Sequence, residues 1–161
     1  MISRRVVNAS PLIFLTHLGL LEVLKERGVA ALVPDVVLAE IGGHGPADPA
    51  VLAVQASPWL QVVPTPPIPN VIAAQRLDAG ESAVLAVGLQ QPETQVVLDD
   101  LAARRCAVSL GLATQGTLGL VLVAKRLGLV AEVRPLLDLL KQAGLYVSDP
   151  LAARVLKAAG E

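Results

Sequence analysis

The 161-residue sequence is poor in aromatic residues, in cysteine and in net charge. Only Phe14, Trp59 and Tyr146 are aromatic although 53% of the residues are hydrophobic, so the core must be built from aliphatic side chains. The single cysteine, Cys106, excludes an internal disulfide and a cysteine zinc cluster. The formal net charge of -1 is not that of a typical nucleic-acid binder, which is usually basic, although net charge does not report local clusters.

The sequence also lacks a long apolar run. No stretch of about 18 apolar residues is free of a charge or a helix breaker, so we expect no membrane span. The start, MISRRVVNASPLIFL, has a faint signal-peptide character, but Asn8, Pro11 and His17 interrupt it and no small-residue cleavage site follows. We therefore expect a cytoplasmic protein. The length suits one domain over residues 1–161, with a single core.

Short apolar runs alternate with longer helical patterns, which predicts βαβ units and an α/β fold with a mainly parallel central sheet. The apolar runs show no alternation with polar residues, as expected for strands that helices cover on both faces. We predict strands at 5–8, 31–34, 60–63, 96–99, 112–114 and 145–147. We predict helices from a cap at Ser10 towards Gly28, at 35–41, from 48, at 70–77, 81–89, 101–110, 117–127 and 133–143, and from 149.

Polar side chains follow the predicted strands at the sheet edge where parallel α/β proteins bind ligands. Asn8 ends the first strand, and Asp99 and Asp100 end the fourth. Glu81 lies in the first turn of a helix and Glu40 at the end of another. Each has a simple structural explanation, such as a turn, a helix cap or the helix dipole. However, one helix needs one N-cap, which leaves one of the two adjacent aspartates without an explanation.

Adjacent carboxylates repel each other and are stabilised by a cation between or beside them. Oxygen ligands of this kind suit Mg²⁺ or Mn²⁺. The two histidines, His17 and His44, are not in ligand spacing, which argues against zinc. Chemistry that needs only carboxylates and such a cation is mostly phosphoryl transfer. Arg104 and Arg105 follow within one helical turn and can hold neighbouring phosphates.

Five blocks carry a family resemblance: VVNASPLIFLTHLGLLEVL, LVPDVVLAEI, LDAGESAVLAVGL, VVLDDLAARRCAVSLGL and QGTLGLVLVAKRLGLV. In this order they resemble a bacterial and archaeal branch of the PIN domain superfamily of predicted nucleic-acid-binding proteins. The resemblance covers about residues 5–150. It implies a three-layer α/β/α fold with a mainly parallel sheet. It also implies an acidic cluster that binds Mg²⁺ or Mn²⁺, cleavage of single-stranded RNA, and dimers. Many members are toxins of toxin–antitoxin pairs, with a small antitoxin protein as partner.

The resemblance also assigns residues to this expected site. The acidic positions fall at Asn8, Glu40, Glu81 and the aspartate pair, with Asp100 favoured as the usual ligand and Asp99 beside it. The expected catalytic carboxylates are Glu40, Glu81, Asp99 and Asp100, and together with Asn8 they are the expected metal ligands. Two further residues, Ser10 and Thr117, can lie near the pocket as polar groups behind the ligands, although helix capping explains them equally well.

Asn8 departs from the family pattern, which usually has an aspartate at that position. An asparagine offers a carbonyl oxygen to a metal but no charge, and disturbing a metal site commonly weakens affinity by about tenfold to a hundredfold. Two functions therefore stay open: a metal-dependent ribonuclease, or a catalytically weak or inactive module that binds nucleic acid or a partner. A receiver domain is disfavoured because no aspartate ends a strand between Asp100 and Thr117. A haloacid-dehalogenase site is disfavoured because NAS stands where it needs D-x-D. The Leu- and Val-rich helices at 117–143 are candidates for a dimer face or for completing the core.

Overall fold

The fold is described from a computed structural model of residues 1–161. Five strands form one sheet, all parallel, in the order β3-β2-β1-β4-β5. The strands are β1 (Arg4–Val7), β2 (Ala30–Pro34), β3 (Leu60–Val63), β4 (Thr94–Val97) and β5 (Ala113–Gln115). The predicted α/β class with a parallel sheet is therefore confirmed.

Nine α-helices and one 3₁₀ helix surround the sheet. The helices are α1 (Ala9–His17), the 3₁₀ helix Leu21–Gly28, α2 (Asp35–Gly42), α3 (Pro49–Gln55), α4 (Asn70–Ala73), α5 (Ala79–Gln90), α6 (Leu101–Ser109), α7 (Thr117–Arg126), α8 (Arg134–Gln142) and α9 (Asp149–Ala158). None of them is both long enough and apolar enough to cross a membrane.

The helices and the sheet form a three-layer α/β/α arrangement. Helix α5 packs on β1, β2 and β4 and contacts α6, which itself packs on β5. Helices α1 and α7 contact each other and the 3₁₀ helix, and α9 contacts α7. One continuous cluster of 36 buried residues, all aliphatic except Cys106, joins the layers, as expected for a chain with three aromatic residues.

Three predicted elements differ from the structure. The stretch 145–147 is not a strand, because β5 and β3 are the sheet edges and Leu145 instead donates its N–H to the carbonyl of Leu140. The predicted helix 70–77 is only one turn long, and Ile72 is its single buried residue. The first helix does not continue to Gly28: Gly19 takes a φ of +68°, which ends α1 and allows the 3₁₀ helix to start.

The strand register brings the functional candidates to one edge of the sheet. Val7 of β1 pairs with Val97 of β4, and Val97 pairs with Gln115 of β5. Both β1 and β4 end earlier than predicted, so Asn8 and Asp99 lie just beyond the strands. The N–H of Asn8 still donates to the carbonyl of Val97, with N and O 3.1 Å apart. The chain segments after β1, β4 and β5 therefore meet at the carboxyl edge, as parallel strands require.

Candidate functional site

Asn8 is a buried polar residue whose side chain has no hydrogen-bond partner in the protein. It is 6% exposed, and its Oδ1 is buried and unpartnered. The residue occupies the N-cap position of α1, but its side chain makes no capping bond. Leaving a buried acceptor unsatisfied costs about 1–3 kcal/mol, so a ligand or a water is expected at this oxygen. A hydrogen bond from this side chain to a local turn, which was the simple structural explanation for Asn8, is therefore not formed.

Gly80 makes room for two oxygen atoms on the first turn of α5. A Cβ atom at Gly80 would lie 2.9 Å from Asn8 Oδ1 and 2.6 Å from Glu40 Oε2, closer than side chains tolerate. Glycine at this position therefore allows the amide oxygen and the carboxylate to approach the same stretch of backbone. The structure brings together Asn8 and Glu40, which are 32 positions apart in the sequence.

Glu40 lies in the last turn of α2, and its carboxylate is free of hydrogen bonds to the protein. Partial burial raises the pKa of Glu40, the negative charge of Asp78 raises it further, and His44 opposes the shift. An exposed residue with a free carboxylate next to another acid is available to a cation.

Glu81 is buried, with 9% of its surface exposed, and it forms a capping box with Asp78 at the start of α5. Asp78 Oδ1 accepts the N–H of Glu81 at 2.7 Å, and Glu81 Oε2 accepts the N–H of Asp78 at 3.2 Å. Burial raises the pKa of Glu81 to about 6, and the negative charges of Asp78 and Asp100 act in the same direction. Glu81 is thus both a capping residue and part of a group of neighbouring acids.

The two adjacent aspartates have different partners. Asp100 is the N-cap of α6, where its Oδ2 accepts the N–H of Ala103 at 2.9 Å. Asp99 Oδ1 accepts the N–H of Thr117 at 2.7 Å, and its Oδ2 accepts the hydroxyls of Ser10 and Thr117 at 3.0 and 2.7 Å. Asp99 therefore ties the starts of α1 and α7 to the end of β4, while Asp100 is exposed. We call the surface that carries Asn8, Glu40, Asp78, Glu81 and Asp100 the acidic cleft.

Ser10 and Thr117 do not cap their helices, so that expectation is wrong for both. The N-cap positions are Asn8 for α1 and Gly116 for α7. Both hydroxyls donate to Asp99 instead, because the carboxyl edge brings three chain segments together. Both residues therefore lie directly behind Asp99, and their role beside a metal site stays a prediction.

Arg104 and Arg105 point to different surroundings. Arg104 is partly buried and reaches Gly116. A Cβ atom added at Gly116 would lie 3.0 Å from Arg104 Nη1 and 3.2 Å from Asp99 Oδ1, so both side chains approach the same glycine. Arg105 is exposed. Neither side chain forms an ion pair in the structure, so both guanidinium groups can bind an external anion.

We compared the sequence with models of known protein families, with curated proteins and with solved structures. The family model DUF3368, described as a PIN domain, matches residues 4–161. The chain belongs to the PIN domain family. No curated protein and no solved structure matches it. The match confirms the resemblance carried by the five sequence blocks and the PIN-like three-layer fold.

The PIN fold is of nuclease type, and PIN domains in general use divalent metals. In this PIN domain the donors at the cleft are all oxygen atoms, and the unpartnered Oδ1 of Asn8 beside Glu40 fits a hard cation. However, no group of three or more His, Cys, Asp or Glu side chains converges closely enough to hold a metal. The expected single cluster is therefore spread out: Asn8 and Glu40 meet at Gly80, and Glu81 lies within electrostatic reach of Asp100.

Asp78 is the residue of this PIN domain's cleft that the sequence analysis missed. Its charge raises the pKa values of both Glu40 and Glu81, so it lies within electrostatic reach of both. Its spacing in D-A-G-E is that of a capping box, with an aspartate three residues before a glutamate. This spacing could have identified Asp78 as the N-cap and placed the start of α5 before Glu81.

Proposed function

We propose that this PIN domain is a Mg²⁺- or Mn²⁺-dependent ribonuclease that hydrolyses phosphodiester bonds of single-stranded RNA at the cleft beside Gly80. The observation that carries the proposal is the buried, unpartnered Asn8 Oδ1, which shares the surface of Gly80 with the free carboxylate of Glu40. Membership of a family with a nuclease-type fold supports it.

The residues of the cleft have separate tasks in this proposal. Asn8, Glu40, Glu81 and Asp100 offer the oxygen ligands for the cation. When bound, the cation supplies an activated water and neutralises charge on the attacked phosphate. Asp99 is a positioning residue, because its bonds to Ser10 and Thr117 hold the end of β4 against α1 and α7. The two arginines that follow, Arg104 and Arg105, hold neighbouring phosphates.

The test is cleavage of a mixed-sequence fluorogenic RNA by the purified protein, with Mn²⁺ and with EDTA, beside Asp100→Asn. Asparagine keeps the N-cap of α6 but removes the charge, so the fold is retained. Asp138→Asn, an exposed change on α8, is the control. We expect metal-dependent cleavage by the wild type and by Asp138→Asn, and at least about tenfold slower cleavage by Asp100→Asn. Equal cleavage by Asp100→Asn and the control would contradict it.

A second function, a catalytically weak or inactive PIN domain that binds nucleic acid or a protein partner, is favoured by two observations. Asn8 brings no charge, and no three acidic side chains converge. This alternative predicts RNA binding without turnover even in Mn²⁺. Asn8→Asp should then raise Mn²⁺ affinity by about tenfold to a hundredfold and create cleavage. An unchanged metal affinity in Asn8→Asp would count against Asn8 as a position of the metal site.

The proposal extends to a toxin role with a small antitoxin partner and to a homodimer, on the resemblance to the PIN family. Exposed apolar side chains in the predicted dimer segment, Leu127, Leu129 and Leu139, favour the homodimer. Expression of the wild type in a bacterial host should arrest growth, and Glu40→Gln should relieve the arrest. Sedimentation of the purified protein as a monomer would contradict the homodimer.

A further inference from the structure

A groove lies between α6 and α9, and Asp100 of the acidic cleft is the N-cap of α6. The volume of the groove is about 520 Å³. Arg104 and Arg105 of α6 and Arg154 of α9 line it, and no acidic residue does. In a chain with a net charge of -1, three arginines without a carboxylate form a local positive surface.

The three guanidinium groups are free to bind an anion. None of them forms an ion pair within the protein. By contrast, Arg5 is buried and its guanidinium donates to the carbonyls of Val23 and Leu24, so it serves the fold. A planar guanidinium without a carboxylate partner matches the oxygen atoms of a phosphate.

The groove also contains apolar side chains, so a ligand that fits it must offer both negative charge and apolar or flat surface. Leu101 and Val108 are 61% and 65% exposed, and together with Leu151 they line the space between the arginines. Proteins that bind single-stranded nucleic acid combine a positive groove for the backbone with side chains on which bases stack, mostly aromatic rings and arginines. This groove has no aromatic residue, so its guanidinium groups and aliphatic side chains form the contact surface for the bases. A small inorganic anion would not use the apolar surface, and an apolar protein segment would not use three cations.

Arg104 joins the groove to a second cavity. This residue lines both the groove and the neighbouring cavity that contains Gly116. Its Nη1 lies over Gly116, next to the position of Asp99 Oδ1. Asp100 is the N-cap of α6, so it lies one helical turn from Arg104. An RNA strand that is held at Asp100 and runs along α6 therefore reaches Arg104 first and then the groove.

We propose that the α6–α9 groove holds the single-stranded RNA on one side of the bond to be cut, with Arg154 as a phosphate-binding residue. This inference rests on the proposed function and names a binding surface for its substrate. Arg154 is exposed on α9, so it can be exchanged without disturbing the core.

The test measures binding of a 5′-fluorescein-labelled 20-nucleotide RNA of mixed sequence by anisotropy in EDTA, over a series of salt concentrations. We compare the wild type, Arg154→Gln and the control Arg27→Gln, whose exposed side chain lines a different cavity. Loss of one phosphate contact should weaken binding by about fivefold to tenfold and lower the salt slope of log K by about 0.7. Arg27→Gln should match the wild type.

The same proteins are then assayed for cleavage in Mn²⁺, which separates the two proposals. Cleavage by the wild type with unchanged RNA binding by Arg154→Gln would overturn the groove and leave the nuclease standing. Arg154-dependent binding without cleavage would support the groove and refute the nuclease. A wild type that neither binds nor cleaves RNA would overturn both. Unchanged RNA binding with altered sedimentation of Arg154→Gln would assign the groove to a second copy and overturn the inference.

Discussion

Gly80→Ala is the substitution that most directly probes the cleft. The new Cβ atom would stand 2.6 Å from Glu40 Oε2 and 2.9 Å from Asn8 Oδ1, so both oxygen atoms must move. Glu40 is exposed and can swing away, whereas Asn8 is buried and has little room to turn. The variant therefore separates two oxygen atoms that the account assigns to one cation.

The expected effect on stability is small because two contributions oppose each other. Alanine in place of glycine inside a helix stabilises by about 0.8–1 kcal/mol. Overpacking a tight site destabilises by about 1–3 kcal/mol. The Glu40 carboxylate can swing away, so only the milder 2.9 Å approach to Asn8 Oδ1 has to be relieved inside the protein, which places this case at the low end. We expect the free energy of unfolding to change by less than about 1 kcal/mol, while Mn²⁺ affinity falls by at least about tenfold.

Gly88→Ala in the same helix is the matched control. A Cβ atom there would meet Val96 Cγ1 at 2.9 Å and Leu112 Cδ1 at 3.3 Å, in the core and away from the cleft. This variant should lose about 1 kcal/mol of stability and keep its Mn²⁺ affinity. Calorimetric Mn²⁺ titration and urea unfolding in EDTA measure both quantities. Mn²⁺ binding by Gly80→Ala that equals the wild type would refute the reasoning.

Three further substitutions test the surroundings of the cleft. The pKa of Glu81 is raised from 4.5 to about 6, so the folded state holds its proton more tightly and stability falls as the pH rises from about 4.5 to about 6. After allowance for solvent screening, we expect the loss over this pH range to be about 1 kcal/mol larger in the wild type than in Glu81→Gln, measured by urea unfolding in EDTA. The raised pKa of Glu40 contributes equally to both proteins. Thr117→Val should lower the free energy of unfolding by about 1–3 kcal/mol because a buried hydroxyl donates to Asp99; a thermal melt like that of the wild type would contradict this contact. Glu161 accepts the N–H of Val133, and this hydrogen bond lowers the pKa of the Glu161 carboxyl group. Glu161→Ala should therefore lower the melting temperature at neutral pH. The difference from the wild type should disappear as the pH falls through the pKa of Glu161, because the protonated carboxyl group no longer stabilises the folded state.

The fold was largely predictable because its sequence signals are local. All five strands were expected within two residues of their observed ends, since each is a short aliphatic run between helical patterns. The incorrect strand at 145–147 shows the limit of this pattern. Leu145 and Val147 pack inward and Tyr146 is 86% exposed, so burial alternates from residue to residue as it does in a β-strand. Whether a sheet edge accepts such a segment depends on the tertiary arrangement.

The site was predictable in its residue types but not in its arrangement. The sequence marks Asp99 and Asp100 as one pair of carboxylates. In the structure they bind different groups, because Asp100 accepts the N–H of Ala103 and Asp99 accepts hydrogen bonds from Thr117. The hydroxyls that bind Asp99 come from other chain segments, and no local pattern reports such contacts. The close approach at Gly80 likewise depends on how α2, α5 and the end of β1 pack together. Asp78, in contrast, was visible in the capping-box spacing.

The most direct test of the account is RNA cleavage by Glu40→Gln in Mn²⁺, with EDTA and Glu132→Gln as controls. Glu40 makes no hydrogen bond to the protein, so this exchange removes a charge from the cleft without removing a structural contact. Glu132 is an exposed carboxylate elsewhere on the surface. We expect Mn²⁺-dependent cleavage by the wild type and Glu132→Gln, and at least about tenfold slower cleavage by Glu40→Gln. Cleavage by Glu40→Gln at the wild-type rate, or cleavage that persists in EDTA, would contradict a metal-dependent nuclease at this cleft.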